Sequence, residues 1–144
     1  MKIEISRLDD AFHMQATNEE GKTVEMDAAL AIGGHNAAMR PMQMVLAALG
    51  GCSAIDVIDI LKKQRLHLKD IKLQISAKRA EGVIPAVFTD IHMHFILTGD
   101  IPDEKAARAI QLSVEKYCSV AAMLRATATI SHSFETLSIH PHQA

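Results

Sequence analysis

Apolar and polar residues alternate with a period of two in several segments of the chain, as they do in half-buried β-strands. Near the N-terminus the alternation predicts three short strands, at residues 2–8, 11–17 and 22–26, joined as an antiparallel meander. Further along, the pattern predicts three longer strands, at residues 68–77, 87–97 and 127–139.

One stretch between these two groups of strands is apolar on almost every side. Pro41 suits the first turn of a helix, because its missing N–H would be unpaired there in any case. Lys62 and Lys63 suit the negative end of the helix dipole. We therefore predict a helix from Pro41 to about Gln64, buried in a core or against a second subunit. Two further helices are predicted over residues 102–117 and 119–124.

The predicted order of elements is βββ-α-ββ-αα-β. Strands that come in antiparallel runs, without strict βαβ alternation, indicate an α+β fold. The 144 residues are expected to form a single domain, 1–144, and 49% hydrophobic with 22% charged residues is typical of a globular core. Two cysteines are too few for a disulfide scaffold or a four-thiolate zinc site.

The charge and the targeting signals of the chain indicate which partners and which cellular compartment to expect. The chain has 15 Lys and Arg against 17 Asp and Glu, with 3% aromatic residues and no Trp, so we expect no nucleic-acid partner. The N-terminal residues show no signal peptide. The apolar helix is long enough to cross a bilayer, but Asp56 and Asp59 would each cost about 2.5–3.5 kcal/mol at its centre in lipid. We therefore expect no membrane partner and a cytoplasmic location.

Two cysteines stand in unusual surroundings. Cys52 follows a pair of glycines inside the predicted helix, and each glycine costs about 1 kcal/mol there relative to Ala. Such a pair indicates the close approach of another backbone or a ligand. Cys118 lies at a junction of two helices, where free N–H groups can stabilise a thiolate. A free cysteine is also commonly a small buried hydrophobe, so a purely structural role stays open.

The segments PMQM at 41–44, LAALGGC at 46–52 and KYCSV at 116–120 resemble the OsmC/Ohr family, osmotically inducible protein C and organic hydroperoxide resistance protein. The chain looks closest to the YhfA-like subgroup, and the resemblance extends over essentially its whole length. It implies an OsmC-like fold with N-terminal antiparallel strands, a long buried central helix, and a second sheet and helix. It also implies an intertwined homodimer with sites at the interface, and no cofactor.

The resemblance further implies thiol-dependent reduction of organic hydroperoxides. In that reaction the Cys52 thiolate attacks the peroxide O–O bond and becomes a sulfenic acid. Cys118 then condenses with it to a disulfide, and an external dithiol, lipoyl-like in the family, reduces the pair again.

Two family positions are not matched. Ohr-type members place a Glu directly after the helix proline and an Arg in the N-terminal hairpin. Here Met42 and Gln43 follow the proline, and the hairpin from residue 12 to residue 26 contains no Arg, only Lys22. The side chain at position 42 starts about 15 Å from Cys52 along the helix axis. A partner for Cys52 is therefore expected from another segment or from the second subunit. The candidate activating or site-lining residues are Arg40, Gln43, Asp56 and Lys116, with Arg7 as a further cation.

Asp56 lies one helical turn after Cys52, where its charge disfavours a thiolate. Either a cation neutralises this carboxylate or it turns away. If neither holds, an alternative function follows: a non-catalytic OsmC-fold protein that binds an apolar ligand or a redox partner at the dimer cleft. Met42 and Met44 are candidates for lining such a pocket.

Eight histidines invite a test for a metal site. His92 and His94 share a strand face, and His132 lies on the last strand. We interpret them as solvated strand histidines and predict no metal centre. His140 and His142 fall in the C-terminal tail.

Overall fold

Two three-stranded sheets organise the chain, one in each of its two compact units, Met1–Ala47 and Ala48–Ala144. The computed structural model describes residues 1–139, so the tail histidines His140 and His142 lie outside the described residues. The mixture of sheets and helices confirms the predicted α+β class. The assignment of residues 1–144 to a single domain stays a prediction.

The first unit contains the predicted antiparallel meander. Its strands are β1 (Ile3–Arg7), β2 (Met14–Asn18) and β3 (Thr23–Met26). Strand β2 begins later than predicted, because an Asp9 carboxylate oxygen accepts the backbone N–H groups of Ala11 and His13. These bonds fold residues 9–13 into a turn, although the side chains alternate there.

A loop fixed by one carboxylate leads from the meander to the first long helix. Asp27 is buried and accepts backbone N–H groups from Ala37, Ala28 and His35, the first of which contributes most to lowering its pKa. A Cβ on Gly34 would lie 2.1 Å from the Ala28 carbonyl oxygen, so only glycine fits. Residues 33–36 accordingly lie in a loop.

Helix α1 runs over Pro41–Lys63 and ends one residue before the predicted end. The described residues bury one stripe of it, formed by Leu49, Gly50, Ser53, Val57 and Leu61. The remaining apolar face, with Ile55 68% and Ile58 42% exposed, has no cover in the described residues. By length and composition α1 could cross a membrane, a test that the core helices of soluble proteins also pass.

The second sheet has the order β4-β5-β6, with the strands β4 (Leu68–Arg79), β5 (Phe88–Gly99) and β6 (Thr129–Leu137). Strands β4 and β5 are antiparallel, but β6 is parallel to β5, which the pattern of antiparallel runs did not predict. The helical connection explains the difference, since a helical crossover returns the chain to the same end of a sheet. It consists of α2 (Asp103–Leu112), a π-helical turn (Ser113–Tyr117) and α3 (Ser119–Leu124).

The core of the second unit contains alternate residues of β5 and the inner stripes of the helices. Phe95 and Leu97 are fully buried on β5, as are Leu49 on α1 and Ile110 on α2. Each such side chain contributes about 1.5–3 kcal/mol to folding. A Cβ on Gly50 would lie 2.8 Å from Ile75 Cδ1 on β4, which accounts for the first glycine of the pair in α1.

Candidate active site

Cys52 lies on α1 beside the buried stripe and is half-buried. Its neighbours on the stripe, Leu49 and Ser53, are fully buried. Gly51 differs from Gly50, because a Cβ there would meet no described atom within 4 Å. Among the described residues, the close approach that the glycine pair indicates is therefore seen at Gly50 and not at Gly51.

Cys118 is placed by the π-helical turn. Its N–H donates to the Ser113 carbonyl oxygen at 2.8 Å, five residues back, which closes the turn. Cys118 is then the N-cap of α3, and its sulfur accepts the Ala121 N–H at 3.4 Å. The thiol is 2% exposed, at the helix junction where the sequence placed it. Helical segments of the π type are rare and frequently lie at functional sites.

The fold brings the two cysteines together with one carboxylate. The sulfur atoms of Cys52 and Cys118 and a carboxylate oxygen of Asp56 all lie within 4.8 Å of one another. We call these three residues the thiol cluster. A half-buried cysteine thus lies next to a buried one.

The two thiols differ in their surroundings. Burial raises the pKa of the Cys118 thiol, the nearby Ser53 hydroxyl and the Ala121 N–H oppose that rise, and Cys52 adds to it. Cys118 is therefore a protonated thiol at neutral pH. Of the two cysteines, Cys52 is the more exposed.

Asp56 stays beside the thiols and does not turn away. Ser113 Oγ lies 3.3 Å from Asp56 Oδ2 and 3.1 Å from the Ser53 carbonyl oxygen, so the Ser113 hydroxyl can donate to either. Among the described residues of the second unit, no Lys or Arg forms an ion pair with Asp56. The neutralising cation proposed from the sequence is thus not found within this unit.

Two buried serines complete the surroundings of the cluster. Ser53 and Ser113 are both fully buried, and Ser53 Oγ has no hydrogen-bond partner among the described residues. Sequence reasoning gave no role to Ser113. The available signal was its position on the apolar stripe of the second helix, after Ala106 and Ile110, where a polar residue is unexpected.

The other predicted site residues make different contacts. Gln43 Oε1 accepts the Arg40 backbone N–H at 3.0 Å, which is half of a capping box at the start of α1. Lys116 is exposed, and its Nζ lies 5.3 Å from the centroid of the Tyr117 ring. Arg7 is exposed at the end of β1. The contacts given for Gln43 and Lys116 involve neither of the two cysteines.

A cleft of about 340 Å³ adjoins the thiol cluster through Asp56. Ile60, Leu112 and Tyr117 give it apolar walls, and Lys63 at its edge forms an ion pair of 2.5 Å with Asp59. The cleft is large enough to hold an organic group next to the cluster.

His92 and His94 share one face of the second sheet, as predicted, and hydrogen bonds join them to the neighbouring strand. His92 contacts Ser131 Oγ and Ser133 Oγ, each at 2.8 Å. His94 contacts Ser133 Oγ at 2.8 Å and Glu135 Oε1 at 3.3 Å. We call these five residues the histidine ladder. Glu135 is an acid partner that sequence reasoning could not assign.

His132 does not join the other two strand histidines. It pairs with Met93 in the β5–β6 register and so projects from the opposite face of the sheet. Among residues 1–139, the three strand histidines therefore cannot share a metal ion.

Comparison with known proteins identifies relatives over most of the chain. A family model described as OsmC-like protein matches residues 34–133. Protein YhfA of Escherichia coli (strain K12) is 50% identical over 99 residues, which are 68% of this chain and 73% of that protein.

Solved structures share the fold over nearly the full length. A hypothetical protein from Aquifex aeolicus VF5 is 29% identical with a TM-score of 0.83, covering 96% of this chain and 97% of its own. An organic hydroperoxide resistance protein from Elizabethkingia anophelis is 13% identical with a TM-score of 0.70, covering 94% of this chain and 96% of its own. The second likeness extends to the fold alone.

Proposed function

The chain belongs to the OsmC-like protein family, and from this membership we propose that it is a thiol peroxidase that reduces organic hydroperoxides to alcohols. The observation that carries the proposal is the pair of sulfurs of Cys52 and Cys118, within 4.8 Å, one half-buried and the other buried. The substrate class is supported by fold relatives that are named organic hydroperoxide resistance proteins.

In the proposed reaction Cys52 is the nucleophile. Its thiolate attacks the terminal oxygen of the hydroperoxide, the O–O bond breaks, and the alkoxide takes a proton and leaves as the alcohol. Cys52 becomes a sulfenic acid. The cleft beside Asp56, with the apolar walls of Ile60 and Leu112, accommodates the organic group of the substrate.

Cys118 resolves the intermediate. Its sulfur attacks the sulfenic sulfur of Cys52, water leaves, and a disulfide of about 2.05 Å forms. An external dithiol, lipoyl-like in the family, then reduces the disulfide by two successive exchanges. We place the protein in the cytoplasm, where thiols stay reduced.

We also propose that the protein works as a homodimer. One face of α1 is left uncovered by the described residues, and it contains Ala48, Gly51, Ile55 and Ile58. Small and apolar residues suit the approach of a second helix. A second copy can then supply a cation to the thiol cluster.

The dimer is tested by Ile55→Glu, which is expected to give a monomer in light scattering, because the charge would be buried in the interface. Ile84→Glu is the matched control, since Ile84 is 99% exposed in the loop between β4 and β5. A wild-type monomer would contradict the proposal.

One observation favours the alternative, a non-catalytic OsmC-fold protein that binds an apolar ligand or a redox partner. The Asp56 carboxylate lies beside both thiols, and no Lys or Arg among the described residues of its unit forms an ion pair with it. Such a protein would use the apolar cleft without turning over peroxide.

Dithiol-dependent turnover separates the two functions. We expect the wild type to reduce cumene hydroperoxide faster than hydrogen peroxide, and Cys52→Ser to be inactive. Cys118→Ser should complete one turnover and then stop. If the wild type is inert towards both peroxides while its thiols react only in denaturant, the binding function stands instead.

A further inference from the structure

The thiol cluster also has the composition of a metal site. We propose that the reduced protein binds one Zn²⁺ ion through Cys52, Cys118 and Asp56. The inference goes beyond peroxide reduction, because binding requires only the reduced cysteines and the carboxylate. The three ligand atoms come from α1 and from the start of α3, so the fold brings together ligands that are distant in sequence.

The donor set suits zinc. Thiolate sulfur and carboxylate oxygen are both common Zn²⁺ ligands, and three protein ligands with an open fourth position are typical of accessible zinc sites. Two thiolates and one carboxylate carry three negative charges, which Zn²⁺ reduces to one. Asp56 then acts as the third ligand.

The spacing needs only a small adjustment. In a tetrahedral site with Zn–S bonds of about 2.3 Å, two sulfurs lie about 3.8 Å apart. Here all three ligand atoms already lie within 4.8 Å of one another. Cys118 is buried and held at the N-cap of α3, whereas Cys52 and Asp56 are half-buried and can rotate towards it.

Groups around the ligands fit a bound ion. Ser113 Oγ lies 3.3 Å from Asp56 Oδ2 and can orient that carboxylate, as hydrogen bonds to metal ligands commonly do. The Ser53 hydroxyl is fully buried next to Cys118 and has no hydrogen-bond partner among the described residues. A metal-bound Cys118 thiolate would give that hydroxyl an acceptor.

Zinc and peroxide would compete for the same sulfurs, a consequence that rests on the proposed peroxidase. A hydroperoxide would oxidise the two zinc-bound thiolates to a disulfide, take up two protons and leave as alcohol and water. Zn²⁺ would be released, since the disulfide sulfurs no longer carry charge.

The test is an anaerobic titration of the reduced, metal-free protein with Co²⁺, followed by displacement with Zn²⁺. We expect one ion per chain, with sulfur-to-cobalt charge-transfer absorption and tetrahedral d–d bands. Cys52→Ser and Cys118→Ser should each weaken the charge-transfer band and lower the affinity. Asp56→Asn should lower the affinity by about tenfold or more. Asp59→Asn is the matched control, an acid on the same helix outside the cluster, and should bind like the wild type.

Two results would overturn the proposal: no stoichiometric binding, or binding that both cysteine variants retain, which would point to histidines. If Cys118→Ser does not fold, Cys118→Ala replaces it, since an apolar side chain suits that buried position. Peroxide turnover by the metal-free protein is measured separately. If the protein reduces peroxide but binds no Co²⁺, only the zinc-site proposal is contradicted. If it binds Co²⁺ but does not reduce peroxide, only the peroxidase proposal is contradicted.

Discussion

The thiol cluster and the histidine ladder both gather reactive side chains, but their polar atoms are satisfied to different extents. In the ladder, both ring nitrogens of His92 and of His94 have hydrogen-bond partners on β6. In the cluster, a buried thiol with a raised pKa lies near a buried Ser53 hydroxyl that has no hydrogen-bond partner among the described residues. Unsatisfied groups held close together leave capacity for a reaction or a ligand, whereas a satisfied network stabilises the sheet that carries it.

The largest difference that we expect between variants of the two regions is in the rate of peroxide reduction. Cys118→Ser should lower steady-state peroxide reduction on the order of 100-fold or more, because the sulfenic acid on Cys52 is no longer resolved. Mass spectrometry after one equivalent of cumene hydroperoxide should find one added oxygen on Cys52. The double variant His92→Ala/His94→Ala is the control from the ladder. A comparable loss of turnover in that control would contradict the expected difference between the thiol cluster and the histidine ladder.

The next effect concerns stability. Ser113→Ala should lower the free energy of unfolding by about 2 kcal/mol, because its buried hydroxyl can donate to either Asp56 or the Ser53 carbonyl. Ser133→Ala in the ladder removes a hydroxyl that is only half-buried and should cost about 1 kcal/mol or less. Urea unfolding of the two variants checks the comparison, and an equal cost would contradict it.

The pH dependence of disulfide formation gives a third contrast. The pKa of Cys118 is raised above its usual value of 9.0, so below that value its thiolate fraction grows with pH. The rate of disulfide formation after one equivalent of peroxide should then rise about tenfold per pH unit over the neutral range. Rapid-mixing kinetics measures it, with Ser53→Ala expected to be slower at each pH. A rate independent of pH would show that Cys118 does not react as the thiolate.

The smallest effect is expected from the acid end of the ladder. Glu135→Gln keeps an acceptor for His94 and removes a partly exposed charge pair, which contributes about 0–1 kcal/mol. We expect unfolding to change by no more than that and turnover to stay within about twofold of the wild type. A large loss of activity would give the ladder a role in the reaction.

Much of the fold follows from local patterns. Neighbouring residues predict the strands β4 and β5 through their alternation, and they predict the two ends of α1 through Pro41 and Lys63. The structure confirms these elements. Errors arise where a side chain competes with the pattern. Asp9 turns residues 9–13 away from β2, and the N–H of Ala128 bonds to the Leu124 carbonyl, so β6 begins at Thr129.

The candidate site could be predicted only in part. Cys52 and Cys118 were found from their motifs and from the family resemblance. Their contact, however, depends on the parallel return of the chain through α2 and α3, which no local pattern contains. Asp56 was recognised from its helical spacing to Cys52, but its hydrogen bond with Ser113 is a contact between helices.

The position of the Cys118 sulfur depends on the number of residues in the π-helical turn. The bond from Cys118 N–H to the Ser113 carbonyl spans five residues, where an α-helical bond would span four. Deleting any single residue between them would restore the α-helical count and swing residue 118 by about 100° around the helix axis. A change of one codon, with both cysteines kept, would thus suffice to separate them.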